Sequence, residues 1–290
     1  MAVQTSTTGN LQNMSRIMLA QARYTEEHNA PMVGLIEQFN LGKGEYKLEI
    51  PKVAQMDAED LAEGQDMIDS EDIDVSTVTA TTAEVGLKVI ITDTLLRQNN
   101  EDVYKIIGRQ MGDAMARKKD NDIIALFPSL NGGTVLGADG ANLTLANASA
   151  LIANAKSGKF GNDLFVVQHP NAIWKLATDI GNTLATYPLP DAFNKPAVKD
   201  YYSGVKLSGV PFFEDGNIAK IGTTDSGYGV IADKTAMGHL SASGRSEERE
   251  RDASLRAYEV VVTEDYAVFE VDDTRGAAGR YEIGDPTTSA

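Results

Sequence analysis

The sequence contains no cysteine. That removes disulfide frameworks, cysteine metal sites and thiol nucleophiles together. It has only three histidines, His28, His169 and His239, and none has another histidine or a carboxylate at metal-ligand spacing. Neither a His-Glu-x-x-His element nor a Gly-x-Ser-x-Gly elbow occurs. Ser241, Ser243 and Ser246 lie close to His239 in sequence, but loops this rich in serine are common. Carboxylates are too numerous to single out a catalytic pair. Positive charge is scarce as well: 26 Lys and Arg stand against 42 Asp and Glu, a formal net charge of −16. Such a field repels phosphates and disfavours nucleic acid binding by general attraction. No apolar run approaches the roughly 20 residues that a membrane-spanning helix needs. The first ten residues lack the basic start and apolar run of a signal peptide. Repeats with a period of 20–50 residues are absent. These absences argue against a catalytic, cofactor, metal or membrane role.

What is present is organised around residues 92–128. Asn99 or Asn100 can cap a helix whose first turn holds Glu101 and Asp102, where carboxylates suit the helix dipole. Pro128 stops it. At the usual rise, residues 102–126 span about 37 Å. Val103, Ile106, Ile107, Met111, Ala114 and Met115 form its apolar stripe. The stripe fails over residues 118–122 and returns at Ile123, Ile124, Leu126 and Phe127. Gly108, Gly112 and Ala116 make a second ridge at four-residue spacing. Each glycine costs a helix about 1 kcal/mol relative to alanine. A close contact with another backbone, from the peripheral sheet or a neighbouring subunit's arm, is the expected compensation.

Before this helix, Leu11, Met14, Ile17 and Met18 read as a short amphipathic helix, and Met32, Val33, Leu35, Ile36 and Phe39 as a second apolar cluster. Together they look like an arm laid on another surface, with a helical hairpin packed on its own domain as the alternative. Tyr46, Leu48 and Ile50 alternate with charge, which is a strand signal. Residues 73–91 are extended and β-branched, with Ile73, Val75, Thr77, Thr79, Thr81, Ala83, Val85, Leu87, Val89 and Ile91 on one parity. Residues 57–74, bracketed by these strands, hold nine carboxylates and no Lys or Arg, including Asp60, Glu63, Asp66 and Asp69. The spacing is not that of a calcium-binding EF-hand loop. So long a connection is unusual inside a compact domain, which favours a projecting hairpin whose tip meets basic groups on a neighbour.

After the helix, the glycine-rich residues 131–140 lack a Gly-Lys-Ser/Thr ending and read as turns. A helix over residues 145–156, a buried strand over 163–168, a helix over 169–180, a strand pair over 204–213 and a buried strand over 227–233 follow. Arg245, Arg249, Arg251 and Arg256 punctuate a charged stretch that suits a solvated face or an interface. Two strands, 257–262 and 266–271, around a Thr-Glu-Asp turn close the pattern.

This order of parts resembles the major capsid protein of tailed bacteriophages, the Hong Kong 97-type fold. Asp120-Asn-Asp-Ile-Ile-Ala-Leu-Phe127 before a glycine-rich loop resembles the end of that family's spine helix. Phe165-Val-Val-Gln-His-Pro-Asn-Ala-Ile-Trp-Lys-Leu176, Gly204-Val-Lys-Leu-Ser-Gly-Val-Pro-Phe-Phe213 and residues 252–272 resemble its later elements. The resemblance implies an α+β subunit. It would have an N-terminal arm at 1–45, an extended hairpin loop at 46–92 and a peripheral domain with the spine helix at 93–145. An axial domain at 146–254 and returning peripheral strands with a tail at 255–290 complete it. It also implies homo-oligomeric hexamers and pentamers in a virion shell assembled in host cytoplasm around double-stranded DNA, without base recognition. Implied partners are a portal protein, a separate scaffolding protein (unless a leading scaffold segment is removed) and a decoration protein. The cross-linking Lys and Asn of some relatives are not matched here. An encapsulin-type bacterial compartment shares the fold and is the first alternative. An unrecognised acidic enzyme or binding protein is the second.

Overall fold

The computed structural model describes residues 32–42, 44–53, 75–98, 102–186, 206–222 and 224–286. A short helix α1 (Met32–Leu35) leads into strand β1 (Glu37–Asn40). Strands β2 (Lys47–Val53), β3 (Val75–Thr81) and β4 (Ala83–Thr92) precede helices α2 (Asp93–Gln98) and α3 (Asp102–Ile124). Then come β5 (Leu136–Gly137), α4 (Leu145–Ser157), β6 (Leu164–Gln168) and α5 (Pro170–Thr186). The chain ends through β7 (Lys206–Leu207), β8 (Val210–Glu214), β9 (Ser226–Asp233), β10 (Met237–Asp252), β11 (Ala257–Glu270) and β12 (Gly276–Glu282).

These strands make three sheets. One is four-stranded in the order β1-β10-β11-β4, one six-stranded in the order β5-β12-β9-β6-β8-β7, and β2-β3 stands as a two-stranded hairpin. The six-stranded sheet holds the main core. On α4, Ala148, Leu151, Ile152 and Ala155 recur at helical spacing and pack on Val166, Val230 and Ile231 of the sheet. Thr144 caps α4, its side chain accepting from Asn147 N at 3.2 Å. His169 starts α5, its Nδ1 accepting from Asn171 N at 3.1 Å. The predicted strand pair at 204–213 is present as β7 and β8. Ser208 and Gly209 turn it with φ of 51° and 84°, the left-handed pair that a two-residue hairpin requires.

The expected arm divides. Its first half lies outside the described residues. The second half is part of the subunit's own body: Met32 and Ile36 are buried in the main core, and β1 runs parallel to β10 with Glu37 opposite Gly238. Satisfying β1's backbone at a sheet edge, with Met32 fully buried, outweighs a loose arm for this stretch.

The long single-parity run over 73–91 also divides, and its inward face changes. In β3 the inward residues are Val78 and Ala80, while Val75, Thr77, Thr79 and Thr81 are exposed. In β4 the inward residues are Val85, Leu87, Val89 and Ile91. The break at Thr82 lets one extended segment pair with β2 first and then with β11. A slip of one residue turns every side chain to the other face.

β10 sits between β1 and β11, and β12 pairs with β9 and β5. The Thr-Glu-Asp turn expected at 263–265 is instead the middle of β11, and the irregularity falls opposite, where the β10 register shifts between Ser241 and Ser246.

Candidate assembly surface

The long helix α3 connects two separate cores, which explains its interrupted stripe. Ile107, Met111 and Met115 lie against Val85, Leu87, Val89, Ile91, Val260 and Val262 of the four-stranded sheet. Two turns further on, Ile123 and the following Phe127 enter the main core with Leu130, Leu143 and Met32. The polar stretch between them bridges the two. Lys119 pairs with Glu264 of β11 and lies 5.5 Å from the Tyr266 ring centroid. Asp122 accepts from the Tyr266 hydroxyl at 2.8 Å. Asp120 accepts from Met32 N at 3.2 Å and from Asn217 Nδ2 at 3.0 Å. Polar residues at these positions satisfy one another where an apolar stripe would have no partner.

His239 belongs to the same junction. It is buried on β10, its Nδ1 lies 3.0 Å from Gln38 Oε1, and its ring stacks on Tyr266 with centroids 5.7 Å apart. Burial, then the Lys119 charge, lowers its pKa, so the ring is held neutral. Its ring faces Gln38 and Tyr266. Ser246 is turned to Thr263, with the hydroxyl oxygens 2.9 Å apart. Among the described residues there is no cluster of three potential metal ligands. No helix among them is long and apolar enough to cross a membrane.

The hairpin is fastened at its root. Leu48, Ile50, Val78 and Ala80 pack on Phe39, Leu240 and Phe269 of the four-stranded sheet. Lys52 Nζ lies 2.6 Å from Asp272 Oδ1. Burial alone would raise the Asp272 pKa, but Lys52 and Thr274 donate to the carboxylate and hold it below the usual range. The hairpin's other face is bare: Tyr46 is 70% exposed and Val75 51%. Asp60, Glu63, Asp66 and Asp69 fall in residues 54–74, outside the described residues.

Beyond the root, β10 and β11 continue beside β4 and turn at residues 253–256. Arg249, Arg251 and Arg256 are exposed along this stretch, and Arg245 lies on β10. Arg251 Nη2 reaches Asp93 Oδ2 at 3.3 Å, with its guanidinium 5.5 Å from the Tyr258 ring centroid. Arg256 sits in the turn with φ of 49°. The helix ridge faces away from the subunit's sheet at its later end: Ala116 is exposed and Gly112 half-buried, while Gly108 lies earlier on α3. The Asp120 cluster gave no sequence signal, because its members come from positions 32, 120, 215 and 217.

The phage capsid protein family matches residues 75–279 of this sequence. The chain belongs to that family. No curated protein sequence matches it significantly. Solved shells share the fold at low identity. The capsid of cyanophage Pam1 superposes with a TM-score of 0.67 at 14% identity, covering 91% of this chain and 95% of that one. The capsid of a native GTA particle gives 0.63 at 13%, covering 92% and 98%. The SrpI encapsulin of Synechococcus elongatus PCC 7942 gives 0.64 at 13%, covering 100% of both chains. The subunit is thus a shell-forming capsid protein with the Hong Kong 97-type α+β fold, and its place is the virion capsid. α3 is the element that the resemblance assigned to the spine, and the β2–β3 hairpin lies within the segment that it assigned to the extended loop.

Proposed function

We propose that the chain associates into hexamers and pentamers that close an icosahedral head around double-stranded DNA, with no catalytic step of its own. The observation that carries this is the capsid family match over residues 75–279, on a subunit whose fold is that of closed shells. The net charge of −16 supports it, because a container wall that attracts DNA weakly lets the genome slide during packaging. A portal, a separate scaffolding protein and a decoration protein are the partners this reading calls for. Asp60, Glu63, Asp66 and Asp69 would meet Arg245, Arg249, Arg251 and Arg256 of a neighbouring subunit. Each exposed pair contributes only about 0–1 kcal/mol, so such contacts act by number across the shell.

The helix ridge supplies a direct test. Ala116 and Gln110 are both exposed on α3, on different sides. Ala116→Leu leaves the subunit folded and shifts sedimentation from large particles toward free subunits. Gln110→Leu leaves particle yield unchanged. Equal yields from the two variants would remove the ridge as a subunit contact. The same assay with all four hairpin acids changed to their amides tests the acidic segment, and unchanged yield would exclude it.

An encapsulin-type compartment is the second reading, favoured by the full mutual coverage with the SrpI shell. It requires assembly without a scaffold and an enzyme cargo held inside. Particles that form only with a scaffolding partner, and that carry no enzyme, decide for the phage head.

A further inference from the structure

We propose that Asp120 and Asp215 share one buried proton, and that this proton fastens α1 and the spine helix α3 to the loop between β8 and β9. Both residues are fully buried. Asp120 Oδ1 accepts from Met32 N at 3.2 Å and Oδ2 from Asn217 Nδ2 at 3.0 Å. Asp215 Oδ1 accepts from Asn217 N at 2.8 Å, and its own N donates to Gln168 O at 3.0 Å. Its other oxygen, Oδ2, is buried with no donor. Asn217 bridges the two carboxyl groups, its N donating to Asp215 and its Nδ2 to Asp120, which sets them side by side. A hydrogen held between two buried acceptors so placed gives the orphaned oxygen its partner. Two adjacent ionised carboxylates, both out of water, would repel and lack solvation.

The hydrogen bonds to the pair come from neutral groups, the Met32 amide of α1 and the two Asn217 amides of the loop. The charged neighbours on α3 turn elsewhere, Lys119 to Glu264 and Asp122 to Tyr266. Among the described residues neither carboxylate pairs with Lys or Arg. Burial, then the hydrogen bond to Asp120, pushes the Asp215 carboxyl up to about 7. The clasp is therefore a pH-sensitive joint. Met32 opens α1, and the proton holds that helix to α3. Losing it places two charges in one apolar site and favours release of the Met32 amide.

The sign follows from linkage. A carboxyl whose folded pKa is raised contributes stability that is full below its unfolded pKa and is lost as pH rises through the folded one. His239 titrates nearby with the opposite sign, since a base held neutral by folding costs stability in acid. The test must therefore compare two proteins that share His239. Asp215→Asn keeps Oδ1 for Asn217 N and puts an amide N–H where the shared proton lies. Urea unfolding of the full chain is followed from about pH 5 to about pH 8. Relative to Asp215→Asn, the wild-type equilibrium constant for folding should fall by about tenfold per pH unit and level off above about pH 7. Hydrogen exchange at the Met32 amide should accelerate over the same range in the wild type alone. Parallel curves for the two proteins would overturn the proposal. So would wild-type stability that rises with added calcium and falls with EDTA, which would put a metal where the proton is placed. Should the variant fail to fold, infrared spectra of the wild type decide. A protonated carboxyl band that fades between about pH 6 and pH 8 supports the shared proton, and its absence at both excludes it.

Discussion

Phe127→Ala lowers the unfolding free energy by about 3–5 kcal/mol. Phe127 has no exposed surface and sits in the one-turn helix at residues 127–129, directly after the spine. It packs with Ile123, Leu130, Leu143 and Met32, which come from four places in the chain. Truncation loses the transfer energy of the ring and leaves a cavity that these groups cannot collapse to fill. Pro128 adds to this, because it fixes the backbone just where the chain would need to shift. Tyr46→Ala, on the bare side of the hairpin, changes stability by no more than about 0.5 kcal/mol. Denaturant unfolding of both variants beside the wild type measures the contrast. Equal losses would mean that the end of the spine is not the keystone of the main core.

Lys119→Met is the second large effect, at about 3 kcal/mol of destabilisation. The cost comes from what is left behind. Glu264 is nearly buried on β11, its side chain 9% exposed against 17% for Lys119. Removing the ammonium strands that carboxylate and also takes the cation from beside Tyr266. The pair itself adds little over a neutral replacement, because both ions have given up water. The double variant Lys119→Met with Glu264→Gln therefore recovers most of the loss. A thermodynamic cycle over the four proteins gives the coupling. A double variant as unstable as the sum of the singles would show that the two side chains act independently.

Much of the architecture was legible because it rests on local signals. The long spine, the buried strand before α5, and the Ser208-Gly209 turn all follow from periodicity and dihedral preference. The spine ends at Ile124, four residues before the expected stop at Pro128, which instead lies in a one-turn helix, and the expected caps Asn99 and Asn100 lie outside the described residues. The polar gap at 118–122 was visible as well, but not its meaning. That required knowing that two cores meet there, which is a tertiary fact. Alternation also misled at β3, where threonines fit either face and Val78 and Ala80 turned out to be the inward pair. Strand membership was the least legible, since nothing in the local pattern of β10 or β12 tells which distant strand accepts its backbone. The Asp120–Asp215 contact lies at the same limit. Two carboxylates ninety-five positions apart carry no spacing signal.

The central claim is that this subunit exists to build a closed shell, with the bare face of the hairpin, the β10–β11 turn and the spine ridge turned toward copies of itself. Electron microscopy of the purified chain, alone and with a scaffolding partner, tests it most directly. The expected result is five- and six-fold capsomer rings or closed icosahedral particles. A uniform monomer at every concentration, with and without scaffold, would contradict it.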